Sequence, residues 1–160
     1  MLKIIENAFS LRTIPSEVVN FGKGITSETN DANWFKNKDW HDITWDDWEA
    51  HRDAFFSFTP QAFLYYLPSI LWLSSERPDS LFLPAEALLQ VLDRSPVVEY
   101  WDEFILNRLY GLDFKEYEAI AKWIEVLSDS CVVASEDTLG RAFDTIALLQ
   151  KSSMSNREKF

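Results

Sequence analysis

Thr59-Pro60-Gln61-Ala62-Phe63-Leu64-Tyr65-Tyr66-Leu67-Pro68-Ser69-Ile70-Leu71-Trp72-Leu73 is the stretch that decides the fold. From Ala62 to Leu73 nearly every side chain is apolar or aromatic, so no stripe separates a wet face from a dry one. A helix that is apolar all round has to be covered all round. The run is shorter than the roughly 20 apolar residues a bilayer span needs, and Pro68 interrupts it. It therefore reads as the buried central helix of a small helical domain. Thr59 supplies a cap, and Pro60 sits at the first helical position, where its missing N–H costs nothing. Pro68 removes the hydrogen bond to the Leu64 carbonyl and is expected to kink or split the helix.

Amphipathic pieces fall on both sides of this rod. Leu2 to Leu11 places Leu2, Ile5, Ala8 and Phe9 at helical spacing, and Ile14-Pro15 stops it. From about 20 to 43 the composition turns polar, which reads as a long loop pinned by Trp34, Phe35 and Trp40. Loops of that length are often functional. Thr44-Trp45-Asp46-Asp47 is a capping signature opening a helix to about Phe56. That helix is expected to bury Trp45, Trp48, Phe55 and Phe56, with Arg52 among them, and to turn Asp46, Asp47 and Asp53 outward. Pro84 opens a helix to Asp93, and Ser95-Pro96 opens another to about Tyr110, which Gly111 ends. Asp113-Phe114-Lys115-Glu116 is a second capping box, stapled by Leu112 and Tyr117. Cys131 to Ala134 reads equally as a helical turn or an extended piece. A last helix is expected from Glu136 to Lys151, with Leu139, Phe143, Ile146 and Leu149 inward. The expectation is an all-α, single-domain bundle of about six helices over 1–151 around a buried, proline-kinked central helix, with a flexible tail over 152–160.

Composition narrows the function classes. With 160 residues and 47% hydrophobic content the chain can build a substantial core, and four glycines and six prolines argue against a loop-rich β-fold. The single cysteine, Cys131, has no internal disulfide partner and reads as a small buried hydrophobe. The first residues lack a signal peptide's basic and apolar regions, so a cytoplasmic home is expected. Fifteen Lys and Arg against 26 Asp and Glu leave a net charge of -11, which repels nucleic acid and anionic membrane and attracts basic partners. Ordinary solubility is the plainer account of the same charge.

Phe56-Ser57-Phe58-Thr59-Pro60-Gln61-Ala62-Phe63-Leu64-Tyr65-Tyr66-Leu67-Pro68 resembles the hallmark of an uncharacterised bacterial domain family, Pro-x-Ala-Phe-x-Tyr-Tyr-Leu-Pro. Ile5 to Phe9 resembles that family's opening helix, and Leu112 to Ile120 its later capped helix. The polar loop matches nothing. The resemblance carries no activity and no catalytic residues. In size and charge such proteins are similar to immunity proteins that accompany bacterial toxins, which is an analogy of context rather than of site.

The densest polar cluster is Asp39, His41, Asp42, Asp46, Asp47, Glu49, His51 and Asp53. Asp47 and His51 are four apart, a spacing metal ligands use, but a metal site needs further ligands from elsewhere. The plainer reading is a solvated acidic face. Tyr65 and Tyr66 are phenols inside an apolar run, and they read as ties between core helices or as fixtures of a ligand pocket. No nucleophile elbow, phosphate loop or paired-cysteine motif occurs, so no catalytic residue and no cofactor are expected. The favoured expectation is a non-enzymatic immunity protein blocking the active site or substrate groove of a basic cognate toxin. Its contact residues are expected to be Trp34, Trp40, Asp42, Asp46, Asp47 and Asp53. The alternatives are a small metal-dependent hydrolase using the Asp/His cluster at 39–53, with Asp47 and His51 as metal ligands, and a helical adaptor that self-associates as a homodimer.

Overall fold

In the computed structural model, residues 1–19 and 26–157 are described. They form eight α-helices and three 3-10 segments, more elements than the six expected. In order these are α1 (Leu2–Phe9), α2 (Ser27–Trp34), a 3-10 turn at Trp40–Asp42, α3 (Trp45–Ala50) and a 3-10 stretch at Arg52–Ser57. They continue with α4 (Pro60–Glu76), α5 (Leu83–Leu92), a 3-10 turn at Val98–Tyr100, α6 (Glu103–Leu109), α7 (Phe114–Ser128) and α8 (Glu136–Arg157). The class is all-α. No strand occurs among the described residues, where extended pairing is limited to one antiparallel bridge between Val19 and Phe58. No helix among them is long and apolar enough to cross a membrane.

α4 is the rod the sequence implies. The Thr59 hydroxyl accepts from the Ala62 N–H (3.1 Å), Pro60 follows, and every residue from Ala62 to Leu71 is buried. Pro68 does not split it: the helix runs unbroken from Pro60 to Glu76. α1, α5, α6, α7 and the turn at Trp40–Asp42 pack directly on α4, and α8 closes the outside across α5 and α7. Thr59 also ties the start of α4 to the preceding chain. Its hydroxyl donates to the Glu17 carbonyl (3.0 Å), and its N–H donates to Val18 (2.9 Å).

A fully buried helix needs polar partners for the aromatic groups that cover it. Trp48 donates its indole N–H to the Ser69 hydroxyl at 3.0 Å, and Trp123 donates to Ser74 at 2.8 Å. The two serines pass their own protons to the Tyr66 and Ile70 carbonyls within α4. At the far side Glu116, 2% exposed, is held by both Nε and Nη2 of Arg12 at 2.6 Å while also accepting the Asp113 N–H of its own capping box. That pair fastens the segment after α1 to the start of α7.

Several expectations are corrected. The polar stretch is no structureless loop over the part described, since Ser27–Trp34 is helical and Thr26 and Thr29 form a reciprocal capping box. Residues 20–25 of that expected loop lie outside the described residues. The helix from Trp45 breaks at His51 and continues as 3-10, which swings Phe56 to 52% exposure and leaves Arg52 in solvent rather than among the aromatics. The helix expected from Ser95 begins only at Glu103, after Asp102, whose carboxylate accepts the Ile105 N–H as the cap. Leu11 is 89% exposed because α1 ends at Phe9, and Phe143 faces out from α8. α8 runs through to Arg157, so 152–157 is helix rather than tail, while 158–160 lie outside the described residues. Cys131 is half-buried at φ 53°, just past the end of α7, where a left-handed residue closes the helix. Gly111 matters for packing: a Cβ there would lie 2.7 Å from Leu64 Cδ1 of α4.

Replacing Ser74 with alanine strands the Trp123 N–H without an acceptor. It should lower stability to urea by about 1–3 kcal/mol. In a Trp123→Phe background the same change should lose most of its effect. Equal losses in both backgrounds would show that the hydrogen bond contributes nothing.

Candidate functional site

The turn at Trp40–Asp42 and the start of α3 are laid against the last turns of α4 by two local devices. Asp39 caps the first, accepting the His41 N–H at 2.9 Å and the His41 ring at 2.6 Å. Thr44 and Asp47 cap the second, each side chain bonding the other's backbone N–H. Between these pieces lies a groove of about 320 Å³. Its apolar lining comes from Ile43, Trp45, Trp72 and Leu73, and its polar rim from His41, Asp46, Glu76 and Arg77. Trp45 leans on Phe82 with ring centres 4.2 Å apart, and the Arg77 guanidinium stands 5.4 Å from the same indole. Trp72 meets Trp40 edge to face, and its own N–H is buried without an acceptor among the described residues.

The contact residues expected from the sequence divide. Asp42, Asp46 and Asp53 are exposed, and none of them forms an ion pair among the described residues. Only Asp46 lines the groove; Asp53 stands further on, in the Arg52–Ser57 stretch. Asp47 is half-buried, and its carboxylate is engaged by Thr44. Trp40 is 3% exposed, stacked on His41 and built into the core cluster, so it is not a surface anchor. Trp34 is half-buried: His51 stacks on it at 4.4 Å, and Lys38 lies over it at 4.2 Å. Trp72, Leu73 and Glu76 were missed. They sit at the end of a run whose apolar density hides the point where the helix emerges from the core.

The metal alternative finds its residues already committed. The Asp47 carboxylate closes its own cap, and His51 turns its Nδ1 to Asp31 at 3.3 Å. Among the described residues no three His, Cys, Asp or Glu side chains are grouped to hold a metal ion. Tyr66 is a core tie: its hydroxyl donates to the Phe35 carbonyl at 2.5 Å, with the Lys38 carbonyl 3.1 Å away. Burial raises its ionisation far above the usual phenol range, so it remains a neutral donor. Burial also raises Tyr65, with the negative charges of Asp39 and Asp42 adding to the effect. Burial alone would raise Asp39 too, but the His41 backbone and ring hydrogen bonds prevail and hold it below the ordinary carboxylate value.

A carboxylate depressed in the folded state adds stability above its unfolded value, and that stability fades as pH falls through the folded one. The stability difference between the wild type and Asp39→Asn should therefore favour the wild type at neutral pH and shrink below about pH 4. A difference that stays constant across the acid range, followed by thermal unfolding, would contradict this.

No protein family, curated protein or solved structure matches this chain.

Proposed function

We propose that this is a non-enzymatic binding protein of the immunity type, which holds a basic partner protein against the groove between α3 and the end of α4. The partner is a cognate toxin, and seating on this face covers its active site or substrate groove. One observation carries the reading: exposed Asp42, Asp46 and Asp53 have no cation paired with them among the described residues. Asp46 shares a rim with half-buried Trp45 and Trp72. Charges left unpaired on a surface attract an opposite field, and aromatic rings beside them accept Lys or Arg by cation–π contact. Residues 28–53 alone hold eight Asp and Glu against three Lys and Arg, so much of the net charge of -11 is concentrated here.

Enzymes that attack nucleic acid need basic grooves to hold phosphates, and a face of this sign complements them. Steering of this kind acts on the association rate and weakens with salt. The Tyr65-Tyr66-Leu67-Pro68 phrase supports the fold rather than the site, since all four residues are buried.

The test is association kinetics with the partner recovered from the native host. Asp46→Lys with Asp53→Lys should slow association about tenfold at low salt, with dissociation much less changed. Both residues are exposed, and Asp46 lies in the first turn of α3, so the folded state should lose only about 0.3–1 kcal/mol from the helix dipole. Association equal to wild type at low salt would reject this face.

A further inference from the structure

Two charged side chains are buried among the described residues, and they are treated differently. Glu116 is neutralised by Arg12. Arg108, 8% exposed on α6, has no ion pair among the described residues. Its Nη1 donates to the Phe104 carbonyl (3.1 Å) and its Nη2 to the Phe58 carbonyl (2.5 Å), while Nε is buried without a partner among the described residues. The guanidinium lies 3.6 Å from the Phe104 ring centre. Desolvation lowers its ionisation to about 10, which leaves it charged at neutral pH. Two carbonyls and a ring orient this cation without balancing its charge, and the negative charge of Asp102 favours its charged form only from beyond ion-pair distance. A buried arginine without a counter-ion is rare, because removal from water is costly unless an opposite charge compensates.

Arg108 also lines a cleft of about 740 Å³ between the start of α2, the Arg52–Ser57 stretch and α6. Phe58 and Arg108 are its buried members and form the floor; Phe56, 52% exposed, and Phe104 supply aromatic wall. Glu28 and Glu103 are exposed at its mouth.

We propose that this cleft binds a small monocarboxylate with an apolar body, its carboxylate serving as the counter-ion of Arg108 and its body lying on Phe56 and Phe104. Nε is enclosed and each Nη already gives one N–H to a carbonyl, which leaves the second N–H of Nη1 and of Nη2 as the donors for a carboxylate. One cation balances one negative charge. A phosphate monoester would bring a second charge past Glu28 and Glu103 in a chain of net charge -11, which opposes it. Phe56 meets Phe55 edge to face and leans towards Phe104, and half of its surface is left open to the cleft. The site does not rest on the groove between α3 and the end of α4.

Calorimetric titration of the full chain with butyrate, 3-phenylpropionate and indole-3-acetate tests it, with 3-phenylpropan-1-ol and phenyl phosphate as comparisons. At least one carboxylate should bind saturably, and about tenfold or more tighter than the alcohol and the phosphate. Arg108→Gln, with its fold checked by circular dichroism, should bring that acid down to the affinity of the alcohol. Should Arg108→Gln fail to fold, two substitutions at exposed positions decide the matter. Glu103→Gln should tighten the acid and leave the alcohol unchanged, and Phe56→Ala should weaken both. No saturable binding by any of the three acids, equal binding of acid and alcohol, or tighter binding of phenyl phosphate would each overturn the proposal.

Discussion

The structure depends on how a helix with no wet face keeps the polar atoms around it satisfied. α4 is covered by aromatic residues, and two of them, Trp48 and Trp123, carry N–H groups into a region without water. Serines inside α4 accept both, and the serine protons return to α4 carbonyls, so each indole is anchored without leaving a donor stranded. Tyr66 does the reverse, sending its hydroxyl outward to the Phe35 carbonyl just past α2. The rod therefore positions three separate parts of the chain by directional contacts as well as by apolar burial. Packing alone would leave their register looser, since apolar contact has little orientation.

The same constraint explains where surface chemistry collects. α4 stays buried to Leu71 and then emerges, so Trp72, Leu73 and Glu76 meet the N-terminal turn of α3 at the boundary between core and water. Asp46 is drawn to that boundary because it follows the Thr44 cap, where carboxylates favour the helix dipole. The result is a groove with aromatic lining and a polar rim that holds Asp46, Glu76, His41 and Arg77. Arg108 arises from a different boundary. The Phe58 carbonyl, just before α4, accepts from the guanidinium of α6, which holds a charge in the interior beside a cleft.

Legibility followed the strength of local signals. The capping boxes at Thr44–Asp47 and Asp113–Glu116 were read correctly because a short acceptor three residues before a carboxylate has a direct mechanism. α2 was missed because its box uses Thr29 in place of a carboxylate, and only Ala32 of its eight residues is buried. A helix without an apolar stripe has no period to detect. The break at His51 was hidden because the aromatic spacing from Trp45 to Phe56 fits a continuous helix; tertiary contact between α2 and Arg52–Ser57 favours the tighter 3-10 winding. Trp40 misled for a related reason, since a tryptophan among polar neighbours reads as exposed until the neighbouring turn folds it onto Trp72.

By itself the sequence determined the all-α class, the buried rod, two of its neighbours' starting points and the sign of the surface charge. Each follows from composition or from residues within one helical turn of each other. Tertiary structure alone decided which carboxylates share a rim with an aromatic groove, that Trp40 is inside, and that Arg108 is buried with no ion pair among the described residues. Those outcomes join residues as far apart as Asp46 and Trp72, or Phe58 and Arg108. Burial and charge balance are sums over everything that packs around a group, and no local pattern contains that sum.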